Sequence, residues 1–243
     1  MPRAAQVLRE RFWPGPLTLV LAKRPEVPDL VTAGLETVAV RMPSHPVARA
    51  LLESVGEPLA APSANPFGSL SPTRAQHVAA GLGDAVDLLL DGGPAEHGLE
   101  STIVAIDGGF ELLRPGAIEV EAIEAVVGPL RAPSTHGYRA PGMLPQHYAP
   151  ATPVRLVEPA AVPSDERSGA AALALRDEFD GYAVSRRLSA RGDLREAAAR
   201  FFETLHELDA LGLERIDVQP IAERGLGRAM MDRLRRAATG RAL

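Results

Sequence analysis

The residues best placed to do chemistry stand in one run, Pro58 to Val78, PLAAPSANPFGSLSPTRAQHV. It begins as a short apolar strand, PLAAP, and breaks into a loop of small and hydroxyl residues, SANPFGSLS. It ends as the start of a helix, SPTRAQHV. Ser71 stands where an N-cap belongs, and Pro72 suits the first helical position. The free N–H groups of such a helix end, with the helix dipole behind them, make a ready anion site. Ser63 and Asn65 add side-chain donors and acceptors from the other side of the loop. A chain without a Walker-type loop could hold a phosphate in this way. The same run also fits an ordinary strand–loop–helix connection. No Ser-His-Asp or Cys-His set and no clustered carboxylate pair accompany it, so no catalytic side chain is assigned. His147 has no metal-spaced partner, and no protein-held metal is expected.

The elements that must position these residues follow from pattern. The 243 residues suffice for one large domain or two modest ones. A hydrophobic content of 46% and a charged content of 23% are ordinary globular values. The net charge of -5 does not advertise nucleic-acid binding. There is no cysteine, so disulfides and thiolate metal sites are excluded. With no signal peptide and no long apolar run, a cytoplasmic protein without membrane contact is expected.

Residues 17–21 (LTLVL), 37–41 (TVAVR), 58–62, 87–90 and 101–106 (STIVAI) read as strands, and Asp107-Gly108-Gly109 as a hairpin turn into 110–113. Residues 43–55, with Ser44 as cap and Val47, Ala50, Leu51 and Val55 as the apolar face, read as a helix, as do 118–127. This order predicts a mixed sheet with helices packed on it. Residues 128–153 hold six prolines in 26 residues and read as an extended linker. They also carry Tyr138, Met143, His147 and Tyr148, more than a passive tether needs, and the linker is expected to fold over the first domain. Beyond it come strands at 154–157, 170–175 and 216–219 and helices at 193–211 and 225–238, a βαβ-like alternation that predicts a small, largely parallel second domain. The expected domains are therefore 1–127, the linker 128–153, and 154–243.

Eight segments in order resemble one family: FWPGPLTLVL (12–21), TVAVRMPSHP (37–46), LAAPSAN (59–65), SPTRAQHV (71–78), DGG (91–93), ESTIV (100–104), LRPG (113–116) and PGMLPQHYAP (141–150). They resemble the threonylcarbamoyl-AMP synthases, the YrdC-domain proteins. The HYAP linker and the GLGRAMMDRLRRAA helix resemble the family's long form. The resemblance implies an α/β fold: a YrdC-like mixed twisted sheet, incomplete here, with helices, a Pro-rich linker, and a small Rossmann-like C-terminal domain. It implies formation of threonylcarbamoyl-adenylate and pyrophosphate from L-threonine, bicarbonate and ATP, with Mg²⁺, for the t6A modification of tRNA. Thr37, Ser63, Ser71, Arg114 and Tyr148 match ATP-binding positions, and Arg41, Ala61 and Ser101 match L-threonine-binding positions. Double-stranded RNA or tRNA and the downstream t6A transferase proteins are the implied macromolecular partners.

The implied roles make chemical sense. A strand-end Arg41 can clamp a carboxylate bidentately, although a surface salt bridge fits it equally. Ser101 beside Glu100 can orient a substrate group or serve a turn. Arg114 can meet a phosphate or lie solvated at a hairpin. Tyr148 can cover a nucleotide or merely anchor the linker. One departure stands out. Ahead of FWPGPLT, family members carry a Thr-containing strand–turn motif and a Lys-x-Arg motif, and these 243 residues, whose one lysine is Lys23, contain neither. The chain therefore reads as N-terminally truncated and is expected to be impaired. The alternative reading is a non-catalytic nucleotide- or RNA-binding remnant.

Overall fold

In a run of alternating apolar residues, each strand residue points to the face opposite its neighbour. Leu17–Ala22 follows this rule as β1, and the computed structural model, which describes residues 2–133 and 148–240, builds a first sheet around it. β2 is Thr37–Val40, β3 Thr102–Ile106 and β4 Phe110–Arg114. The order is β2-β1-β3-β4, with β1 and β3 parallel and both outer pairs antiparallel. This is the mixed sheet the pattern predicts. Leu17, Leu19 and Val104 bury one face against Ala5 and Leu8 of α1 (Arg3–Phe12) and Ile123 of α5 (Val120–Val127). Val20, Ile103, Ala105 and Leu113 form a separate buried cluster. Two further helices are α2 (Asp29–Thr32) and α3 (Pro46–Val55).

The second sheet is wholly parallel, in the order β5-β8-β6-β7. β5 is Val154–Leu156, β6 Ala170–Ala174, β7 Val184–Arg187 and β8 Arg215–Val218. Every residue of β6 is buried, as expected of a central parallel strand. α6 (Leu194–Asp209) and α7 (Leu226–Ala238) pack on each other and contribute Phe201, Phe202, Leu205, Leu208, Met230 and Leu234 to this core. α6 is capped by Asp193, whose carboxylate accepts the N–H groups of Arg195 and Glu196. α4 (Ala75–Leu82) completes the helices used below. Two compact units result, one from Met1–Pro62 with Glu100–Leu144, the other from Ser63–Leu99 with Pro145–Leu243. Among the described residues no helix is long and apolar enough to cross a membrane.

Local expectations fail where a partner is missing. Residues 58–62 and 87–90 are not strands but exposed coil, with Leu59 at 44% and Leu88 at 76% exposure. Strand propensity forms a strand only when a neighbour accepts its hydrogen bonds, and neither segment has one among the described residues. α3 starts at Pro46, not near Ser44; His45 precedes it without a side-chain cap, and the stripe Val47, Leu51, Val55 is exposed. α1, α2 and β7 have no counterpart in the sequence reading.

Candidate active site

The antiparallel return of β4 onto β3 is what brings Arg114 to Ser101. Arg114 closes β4, and Ser101 immediately precedes β3. Both are buried, at 7% and 6% exposure. The Arg114 guanidinium donates to the Ser101 carbonyl from Nε at 3.2 Å and from Nη2 at 2.9 Å, and Nη2 also reaches Ser101 Oγ at 3.2 Å. Thr18 Oγ1, from β1, lies 2.7 Å from the same Oγ. Gly116 permits the close return: a Cβ there would collide with the backbone of Glu100, Ser101 and Thr102. The next turn is pinned too, since Ala117 N donates to Glu100 O at 2.9 Å and Ile118 N to Thr102 Oγ1 at 3.0 Å.

Arg41 follows β2 directly. Its Nε donates to Gly15 O at 3.0 Å, and Gly15 N in turn donates to Met42 O at 2.8 Å. The two terminal nitrogens of Arg41 have no hydrogen-bond partner among the described residues. Partial desolvation, and then the positive charge of Arg114, hold the Arg41 guanidinium below its ordinary range, though it stays charged. The like charge of Arg114 acts on Arg41, whose own outer nitrogens suit a bidentate anion. Thr37 opens β2, opposite Ala22, so roughly 13 Å of strand separates it from Arg41. Ala61 lies in exposed coil. In this unit Ser101 and Arg114 are in direct contact, Arg41 feels the charge of Arg114, and Thr37 sits at the far end of its strand.

The remaining assigned residues belong to the second unit. Ser63 is exposed. Asn65 donates to Pro66 O and Ser69 O, while its buried Oδ1 has no partner among the described residues. Ser71 is buried, but it is not an N-cap and Pro72 is not the first helical residue. α4 begins at Ala75, with Arg74 preceding it and no side-chain cap. The physical reason is a competing arrangement: Thr73 N donates to His77 Nδ1 at 3.2 Å, and Ala95 N donates to Thr73 O at 2.8 Å, holding residues 71–74 outside the helix. Tyr148 is buried, with φ of 63°, and its ring meets Phe202 of α6 at 5.8 Å and the guanidinium of Arg233 of α7 at 5.2 Å. Ala149 N donates to Gly68 O at 2.9 Å, tying the linker's end to the loop that leads to Ser71. Tyr138, Met143 and His147 lie outside the described residues.

Sequence reasoning missed Thr18, the Gly15 carbonyl, Phe202 and Arg233. Thr18 sits in an apolar strand where nothing local marks it. Arg233 reads as one more basic residue of an amphipathic helix, yet it is 1% exposed.

Fold and site together describe a two-sheet α/β protein in which Arg114 is held on Ser101 and Arg41 on the Gly15 carbonyl. Residues 1–116 match the Sua5/YciO/YrdC family model, described as "Telomere recombination". Residues 118–239 match the Sua5 C-terminal model, "Threonylcarbamoyl-AMP synthase, C-terminal domain". The chain is 40% identical to the threonylcarbamoyl-AMP synthase of Pyrococcus abyssi, over 98% of its own length and 74% of that protein's. It is 38% identical to the threonylcarbamoyl-AMP synthase of Bacillus subtilis, over 100% and 75%. The crystal structure of P. abyssi Sua5 complexed with L-threonine superimposes with a TM-score of 0.90 at 37% identity, covering 99% of this chain and 75% of that one. The chain belongs to the threonylcarbamoyl-AMP synthase family. It spans about three quarters of the length of these relatives.

Proposed function

We propose that this chain is an L-threonylcarbamoyladenylate synthase whose threonine subsite is built on Arg41 and Ser101, with Ala61 alongside them in the assignment. The observation that carries the reading is Arg41 itself. Its fork is oriented through Nε, its outer nitrogens are unengaged among the described residues, and Arg114 reinforces its field. Such a fork suits the bidentate geometry of an amino-acid carboxylate. Ser101, oriented by Arg114 and Thr18, would direct its hydroxyl toward the substrate's polar end.

Thr37, Ser63, Ser71, Arg114 and Tyr148 are the residues assigned to ATP. The threonine amine and bicarbonate give the carbamate and water. A carbamate oxygen then attacks the α-phosphorus of ATP, forming the new P–O bond as the bond to pyrophosphate breaks. Bound with the nucleotide, Mg²⁺ would supply charge neutralisation on the leaving pyrophosphate. The protein's part is positioning and charge stabilisation. The product would serve a t6A transferase acting on tRNA, in the cytoplasm.

Steady-state kinetics on Arg41→Ala test the reading. Losing a charge-assisted contact costs about 1.5–3 kcal/mol, so the threonine KM should rise roughly tenfold to over a hundredfold while the ATP KM changes much less. Equal rises in both would refute a separate threonine subsite at Arg41.

A further inference from the structure

Two histidines with no part in that chemistry lie face to face beside the Ser71 loop. His77 of α4 and His206 of α6 stack with ring centroids 3.8 Å apart and planes inclined by 22°. Each holds the loop by its backbone. His206 Nε2 lies 3.1 Å from Ser71 O; a carbonyl only accepts, so Nε2 carries the proton. Thr73 N donates to His77 Nδ1 at 3.2 Å, so that nitrogen carries a lone pair and the His77 proton sits on Nε2. Arg74 then pairs with Glu203 of α6, Nε to Oε1 at 2.6 Å. Three of four consecutive loop residues are thus fixed by α4 and α6, at a helix start that has no side-chain cap of its own.

We propose that His77 and His206 are positioning residues that hold residues 71–74 in their non-helical, nucleotide-competent shape, and that protonation of His77 at Nδ1 releases the loop. This rests on the reading of Ser71 as an ATP contact. The two rings respond differently to acid. His206 can take a second proton on Nδ1 and still donate from Nε2 to Ser71. His77 cannot without giving up the Thr73 N–H, because a proton on Nδ1 faces that N–H and has only the Thr73 hydroxyl, 3.4 Å away, to turn to. The charged groups around His77 are His206 and Glu203 from α6 and Arg74 from its own loop; around His206 they are His77 and Asp209. Burial chiefly, and then the neighbouring His206, keep His77 below its ordinary value. Burial also lowers His206, against the opposing pull of the Ser71 carbonyl and Asp209. A histidine whose folded pKa is depressed contributes its full stabilisation above the unfolded value of about 6.5 and loses it as the pH falls toward the folded one. The loop is therefore held at neutral pH and loosened in acid.

Amide hydrogen exchange at Thr73, followed between pH 5 and 8 with correction for intrinsic rates, reads the latch without reference to activity. ATP and L-threonine affinities are measured alongside by titration calorimetry at pH 7.5. In the unaltered chain Thr73 should lose protection as the pH falls below about 6.5. His77→Ala should lose it at every pH and weaken ATP binding about fivefold to tenfold, with threonine affinity within twofold. His77→Asn, whose Oδ1 replaces the Nδ1 acceptor and does not titrate, should keep protection and abolish the acid loss. Thr73 exchange indifferent to His77→Ala, or an acid loss that persists in His77→Asn, would overturn the proposal. Exchange changing as stated while ATP affinity stays fixed would uphold the latch and overturn the ATP role of Ser71.

Discussion

Removing both hydroxyls of the Thr18–Ser101 pair should cost less than the sum of removing each alone. Thr18 Oγ1 and Ser101 Oγ lie 2.7 Å apart, at 8% and 6% residue exposure, and Ser101 Oγ also accepts from Arg114 Nη2. Ser101→Ala strands a buried Thr18 hydroxyl, and Thr18→Val strands part of the Ser101 hydrogen-bonding capacity. A buried polar group left without its partner costs about 1–3 kcal/mol, whereas replacing both partners with apolar groups can be nearly neutral. In a chain of this size that corresponds to a melting-temperature loss of roughly 2–12 °C for each single variant. The double variant should recover at least about 1 kcal/mol of the summed cost. Urea unfolding of the four proteins at pH 7.5 gives the cycle directly, and threonine titration of each tells whether stability and ligand orientation fall together. Strictly additive losses would refute the pairing and, with it, the idea that β1 orients Ser101.

Three further outcomes follow from other parts of the molecule. Gly116→Ala should lower stability by about 1–3 kcal/mol by driving a Cβ into the Ser101 backbone, and should weaken threonine binding; unchanged unfolding with normal binding would contradict the close return of β4. Asp217→Ala should destabilise by about 3 kcal/mol, the low end for breaking a buried pair because Arg155 is half-exposed, as read by denaturant midpoint. Burial raises the Asp217 pKa, but the hydrogen bonds from Arg155 and Arg215 outweigh it, so the folded value lies below the ordinary 3.8; its stabilisation is complete above pH 3.8 and should disappear as the pH falls through the lower folded value, visible as an acid limb missing from Asp217→Asn. Arg233→Met, which removes the cation over the Tyr148 ring, should weaken ATP binding and leave threonine binding unchanged in calorimetry; an effect on threonine alone would detach Tyr148 from the nucleotide.

What the sequence discloses follows the range of the forces involved. β1 and β3 announce themselves because a short β-branched apolar run bounded by turn residues is a local signal, and α6 because its apolar face repeats over many turns and Asp193 caps it. The Ser101–Arg114 contact was reachable from motifs but not from spacing, since it is made by the antiparallel return of β4 onto β3. Ser71 shows the opposite failure. A Ser-Pro before a helical run satisfies the local cap rule, yet His77 takes the Thr73 N–H and delays the helix by three residues. The Thr73–His77 spacing of four was visible, but only α6, more than a hundred residues away, supplies the ring that stacks on His77. The coil at 87–90 teaches the same lesson, since three leucines in a row make a strand only when another strand lies beside them.

The central claim is that this chain joins L-threonine, bicarbonate and ATP. Incubating it with ATP, Mg²⁺, L-threonine and ¹³C-bicarbonate, with mass-spectrometric detection after a long reaction, tests that claim most directly. The expected product is a threonylcarbamoyl-adenylate one mass unit heavier than with unlabelled bicarbonate, formed together with pyrophosphate and strongly reduced in Arg41→Ala. Pyrophosphate or AMP released without the labelled adduct, or an adduct indifferent to Arg41, would contradict it.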